Sequence, residues 1–146
     1  MPATENTVTT DTASPPPLPL LKGHAAEYYG WCRQQQLRFQ RCTQCQTWRH
    51  PPRPLCNHCH SFEVEWAVVS GKGVLHAWTV VVASMEPGLA KDAPYVPAIV
   101  ALDEGPRVAS WVTGVAPEDL REGMRLELWF DDVTPEVSLP KFRPAA

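Results

Sequence analysis

No stretch of this chain approaches the roughly 18–20 apolar residues that a membrane-crossing helix needs. The opening residues, MPATENTVTTDTASPPPLPL, hold no basic start followed by an apolar core, so no secretory signal is expected and the chain reads as cytoplasmic. A surplus of positive charge is also lacking. The net charge of -3 and the pI near 5.9 argue against nucleic-acid binding by bulk charge. G-x-S-x-G, a phosphate-cradling glycine loop and H-E-x-x-H are missing as well. The paired acids Asp103-Glu104 and Asp131-Asp132 fall at predicted strand ends. Neighbours on a strand point to opposite faces, so these pairs read as solvated turn acids. His76 lies inside a predicted strand beside Trp78 and reads as structural. No catalytic residue is therefore expected. Proline, by contrast, is abundant: 16 in 146 residues, which disfavours a helical bundle.

The strongest positive signal is cysteine. Four of the five cysteines form two knuckles, Cys42-Thr-Gln-Cys45 and Cys56-Asn-His-Cys59. A C-x-x-C turn sets two thiolates on one side of a metal, and two such turns close a tetrahedron. Without an export signal, a metal site is favoured over disulfides. Two disulfides, four reduced thiols, or iron in a rubredoxin-like site are the alternatives on ligand type. Four thiolates leave no open position for water, so a bound Zn2+ is expected to be structural and to supply folding energy to a segment with little core. His50, His58 and His60 lie nearby and are expected to make surface or second-layer polar contacts. Cys32, the odd cysteine, falls on an aromatic helix and is expected to be buried and inert.

The chain divides by composition. Residues 1–17, rich in Thr, Pro, Ala and Ser, read as a disordered tail. Residues 18–39 carry a helix from near His24 to near Gln36, with large aromatic side chains that must lie on something. Residues 40–62 hold the knuckles, and Pro51-Pro52-Arg53-Pro54 stiffens the link between them. Residues 63–146 are expected to be β-rich. Strands are predicted at Val64–Val69, Val74–Val82, Tyr95–Leu102, Arg107–Thr113 and Arg125–Phe130, with a short helical turn near Pro117–Leu120 and a long loop over Ala83–Pro94. Five short strands with one late helical turn fit an OB-fold, with a small sandwich as the alternative. The expected class is mainly β: an N-terminal α-helix, a rubredoxin-like zinc ribbon, then a five-stranded OB-fold barrel. Trp66, Trp78, Trp111 and Trp129 each fall in a predicted strand. They read first as barrel core and second as a stacking platform for single-stranded nucleic acid.

Charge is divided too. From Lys22 to His60, six basic residues face Glu27 alone, a balance of +5. From Ser61 onward, seven face thirteen acids, a balance of -6. The basic front is either solvated surface or a face for something anionic. The acidic barrel half makes nucleic acid the minority reading.

An aromatic helix, a four-cysteine ribbon with PPRP between its knuckles, and an OB-like barrel, in that order, resemble the DUF35 family. The matching segments are LRFQRCTQCQTWRHPPRPLCNHCHS, VEWAVVSGKGVLHAWTVV, PYVPAIVALDEGPRV, LREGMRLELWF and LPKFRP, within residues 20–144. Two departures touch turn chemistry only: Gln46 stands where a glycine is frequent, and Asn57 where a proline is common. The resemblance implies a non-catalytic accessory subunit, whose partner is a thiolase-superfamily enzyme (thiolase, acyltransferase or retro-aldolase) acting on acyl-CoA; members of the family also act beside, or fused to, hotdog-fold hydratases. Two copies of each chain, with neither nucleic acid nor membrane, are implied. Tyr28, Tyr29 and Trp31 become the candidate docking residues. Arg41, Arg49 and Arg53 become candidates to meet CoA phosphates or an acidic partner surface, and the Ala83–Pro94 loop to border the acyl channel. The competing expectations are an independent single-strand nucleic-acid binder and a stand-alone acyl-CoA carrier.

Overall fold

The computed structural model describes residues 14–146, so the expected disordered tail lies, up to residue 13, outside the described residues. Helix α1 spans Gly23–Arg33. It stops short of the expected Gln36 because Gln35 takes a left-handed conformation (φ 60°). Gln36 N–H then reaches Trp31 O at 3.0 Å and Gln35 N–H reaches Cys32 O at 2.9 Å. These paired bonds satisfy carbonyls that the helix end would otherwise leave open. No helix among the described residues is long and apolar enough to cross a membrane.

Two sheets follow. Strands β1 (Arg38–Cys42), β2 (Trp48–Arg49) and β3 (Val64–Val68) form an antiparallel sheet in the order β2-β1-β3. Strands β4 (Lys72–Trp78), β5 (Val96–Leu102), β6 (Arg107–Val112), β7 (Arg125–Asp132) and β8 (Ser138–Pro144) close a barrel in the order β4-β5-β6-β8-β7. That closed five-stranded order, with one parallel pair between β6 and β8, is the OB-fold. β5 shows why it folds so: Val96, Ala98, Val100 and Leu102 point inward, while Pro97, Ile99 and Ala101 alternate outward.

The strand count matches the expectation, but the membership does not. The stretch from Val64 joins the ribbon, pairing from Arg38↔Val68 to Cys42↔Val64 along the edge of β1 that β2 leaves open. The fifth barrel strand is β8, whose Pro140 and Pro144 hid it from sequence patterning. Proline is tolerated there because β8 runs antiparallel to β7 over its whole length but meets β6 only at Val112↔Phe142. The tryptophans are corrected as well. None is fully buried, and of the four only Trp66 packs against the core cluster, among the described residues. Trp66 lies in the ribbon sheet, and Trp78, Trp111 and Trp129 are partly exposed on barrel strands.

One core serves both sheets. Tyr28, Cys32, Leu37 and Phe39 pack in the same cluster as Leu75, Val100, Val108, Leu126 and Phe142. At the turn into β4, Gly71 (φ 73°) sits against Leu128, whose Cβ would lie 2.5 Å from any added side-chain carbon. Only glycine meets both demands.

Candidate functional site

The first knuckle is built by β1. Cys42 N–H bonds Thr47 O, and Gln46 N–H returns to Cys42 O, both at 2.9 Å. The second knuckle repeats the pattern: Cys56 N–H bonds Ser61 O at 2.9 Å and His60 N–H bonds Cys56 O at 3.0 Å. In each, the residue after the second cysteine is left-handed, Gln46 at φ 64° and His60 at φ 63°. This is why a glycine suits position 46.

The four sulfurs converge within 4.8 Å of one another. Cys42 Sγ lies 3.5 Å from Cys59 Sγ, and Cys45 Sγ lies 3.6 Å from Cys56 Sγ. A tetrahedral ion with metal–sulfur bonds of about 2.3 Å sets sulfurs about 3.8 Å apart. A disulfide would need about 2.05 Å. The spacing therefore suits four thiolates around one metal ion and excludes the two-disulfide alternative for this structure. Local dipoles prepare the ligands. The backbone N–H groups of the second knuckle, His58 N–H among them at 3.4 Å, pull the Cys56 thiol down to about 6. The Thr47 hydroxyl, 3.2 Å from Cys45 Sγ, lowers the Cys45 thiol. Both effects favour the metal-binding thiolate at those two cysteines. Cys59 is shifted the other way: burial and the crowding of the Cys42, Cys45 and Cys56 sulfurs push its thiol up to about 12. None of His50, His58 and His60 joins the sulfur cluster.

Two buried residues that sequence reading gave no metal role hold the knuckles in register. Gln40 Oε1 accepts Arg53 N–H at 2.7 Å, and Arg49 Nη1 donates to Arg53 O at 3.0 Å. Both side chains are buried, and Gln40 and Arg49 face each other across β1 and β2. The second knuckle is thus positioned by a clamp on its approach. Alternation along β1 was the available signal for Gln40; the clamp itself is a long-range contact with no local signature.

This geometry corrects two site expectations. Arg49, at 2% exposure, is not open to a phosphate or a partner. Tyr28, at 6%, is spent on this chain's own core, 6.3 Å between ring centres from Phe39. Tyr29 and Trp31 remain half-buried beside it. Arg38 lies 4.1 Å over the Trp31 ring. Arg41 stacks 5.2 Å over Trp48, and the side chain of Arg53 is exposed. The three arginines of the sequence expectation therefore do not form one cluster. Cys32 is fully buried, and burial pushes its thiol up to about 12, which leaves it inert. His50 stacks on Phe39 at 4.0 Å, and burial holds its imidazole down at about 4.

Beside the ribbon runs a groove of about 1020 Å³ between α1, the His50–Pro52 turn and the outer barrel wall. Its floor includes Ile99, Trp111 and Leu139, and the loop that spans 83–94 forms one side through Leu89 and Lys91. That loop is not irregular throughout: Pro87–Asp92 makes a 3-10 turn, capped by the Glu86 side chain on Gly88 N–H at 3.3 Å. Trp111 is held in the wall by Tyr95, stacked 4.3 Å away, and by the Lys141 ammonium 4.7 Å over its ring.

Residues 32–65 match the family profile described as the ChsH2 rubredoxin-like zinc ribbon domain, and residues 66–131 match the ChsH2 C-terminal OB-fold domain. A DUF35 domain-containing scaffold protein from Methanothermobacter thermautotrophicus is 35% identical over 102 residues, 68% of this chain and 75% of the relative. The chain belongs to the DUF35 family. Among other relatives, a probable enoyl-CoA hydratase alpha subunit from Thermomonospora curvata is 39% identical over 129 residues, 88% of this chain. The chain spans 40% of that subunit's length, and 57% and 64% of two further archaeal DUF35 scaffold proteins. A solved chain of an Ltp2-ChsH2(DUF35) aldolase superposes with a TM-score of 0.77 at 38% identity, over 83% of this chain and 94% of the other. A DUF35 protein from Sulfolobus solfataricus, TM-score 0.57 at 12% identity, shares the fold.

Proposed function

We propose that this DUF35 chain is a non-catalytic accessory subunit of a thiolase-superfamily enzyme acting on acyl-CoA thioesters, and that it helps to shape the acyl-CoA site. The observation that carries this reading is the likeness, at 38% identity and over 94% of its length, to a solved chain whose complex is named for an aldolase. A relative named for an enoyl-CoA hydratase subunit supports CoA-thioester chemistry in the complex. Four convergent cysteine sulfurs support a structural Zn2+, held by Cys42, Cys45, Cys56 and Cys59. The ion's contribution is to fix the ribbon, since a shell of four thiolates leaves no coordination position for substrate. The assembly has two copies of each chain. Tyr29 and Trp31 dock on the partner, and Arg53 and Arg41, each from its own place on the ribbon, meet an acidic surface or a CoA phosphate. The chemistry then belongs to the partner.

The test is reconstitution. The purified catalytic subunit is assayed on acyl-CoA substrates with and without this chain. Loss of activity or a changed substrate range without the chain is expected. A partner that keeps its full activity and range alone contradicts the accessory role.

A further inference from the structure

The described residues before α1, 14–22, do not hang free of the fold. The stretch from Pro15 to Pro19, with Leu18 the one residue that is not proline, has no regular hydrogen-bonded structure. Its Pro15–Pro16 backbone lies directly on Gly88, in the 3-10 turn of the loop beside the groove. A side-chain carbon at position 88 would fall 2.2 Å from Pro15 O and 2.7 Å from Pro16 Cα. Both are backbone atoms, so one of the two segments would have to move. The turn is the fixed one. It is capped by Glu86, and Tyr95 Oη reaches Ser84 Oγ at 3.3 Å at the loop's base. Pro16, Pro17 and Leu18 then line the same groove as the barrel residues Ile99, Trp111 and Leu139.

This contact is well shaped but weakly anchored. Prolines arrive nearly extended, so ordering them costs less entropy than ordering other residues. Leu18 and Leu20, however, stay 45% and 70% exposed, so the segment buries little apolar surface. Elements with so few buried contacts open at low free-energy cost. Beneath it the groove offers what a flat apolar anion needs. Trp111 presents ring surface. Of the charged lining residues, Asp131 is paired with Lys141, while Lys91 and Arg107 make no ion pair among the described residues and outnumber the remaining acid, Asp92.

We propose that Pro15–Leu18 is a displaceable strap, latched on Gly88, that closes one side of this groove and must lift before an apolar ligand enters. The strap is the groove's own occupant. A ligand's apparent affinity is reduced by the fraction of time the strap is open. The proposal stands apart from the accessory role, because it concerns this chain alone.

The probe is 1-anilinonaphthalene-8-sulfonate, a flat apolar anion, titrated by fluorescence into the full chain well below each variant's melting midpoint. Gly88→Val pushes the strap off its latch. A triple variant, Pro15→Gly, Pro16→Gly and Pro17→Gly, loosens it without touching the barrel, and serves if Gly88→Val does not fold. Gly30→Ala, whose added carbon meets nothing within 4 Å, is the control. Dye affinity is expected to rise on the order of tenfold in the strap variants, matching a strap open about a tenth of the time, and to stay unchanged in the control. Adding Trp111→Ala to the triple variant is expected to abolish the gain. Unchanged or weaker binding in the triple variant, or a gain that survives Trp111→Ala, overturns the proposal.

Discussion

At the residue scale, two positions carry a conformational cost that substitution can measure. Gln46 and His60 hold left-handed backbone in the knuckles. That conformation costs a non-glycine residue about 1–2 kcal/mol, partly offset by the extra entropy a glycine loses on folding. Gln46→Gly or His60→Gly is therefore expected to raise stability by up to about 1 kcal/mol, read as a higher denaturation midpoint at unchanged slope. His50 gives a second reading. Burial holds its folded pKa at about 4, below its ordinary 6.5, so the unfolded chain takes up the proton first on acidification. The stability linked to neutral His50 is complete above pH 6.5 and is lost as pH falls toward 4. Unfolding experiments at pH 7 and pH 5 are expected to show His50→Phe losing about 1–2 kcal/mol less than the parent over that interval. Equal losses would place the acid sensitivity elsewhere. The ligand cysteines were legible in the sequence because their chemistry is local: two sulfurs in one turn. The Gln40–Arg49 clamp and the burial of Tyr28 were not, because both depend on which strand lies opposite.

At the element scale, the ribbon is held by its metal shell and by the core it shares with the barrel. Phe39 and Leu37 leave β1 and its approach for the same cluster as Val100 and Phe142. Loss of the metal should therefore be felt beyond the knuckles. Chelation, or Cys56→Ser, is expected to lower the melting midpoint of the chain by about 10 °C or more, as followed by circular dichroism. A melting curve indifferent to chelation would mean that the shared core alone holds the ribbon. The elements themselves were partly readable. β5 announced itself by strict alternation of buried and outward residues. β8 did not, because Pro140 and Pro144 argue against a strand until its neighbours are known. The stretch from Val64 has the same local pattern in a ribbon as in a barrel, so only pairing with β1 could assign it. The end of α1 depends on a left-handed glutamine, which local propensity does not foresee.

At the scale of the whole molecule, a basic helix-and-ribbon front stands beside an acidic barrel. The order of parts was legible in the sequence because four cysteines and a run of short strands are strong signals. The surfaces were not, since exposure is decided by packing: of three aromatic candidates on α1, one turned inward. A double variant, Tyr29→Ala with Trp31→Ala, is expected to weaken capture of the catalytic partner at least about tenfold while leaving the melting midpoint within a few degrees. Unchanged capture would move the interface off this helix. The most direct test of the accessory role is native mass spectrometry of the tagged chain drawn from its own host, since one spectrum reports metal and partner together. The account predicts one zinc ion per chain, in a complex with a thiolase-superfamily subunit and two copies of each polypeptide. A metal-bound chain that emerges alone, or with nucleic acid in place of that subunit, would contradict it.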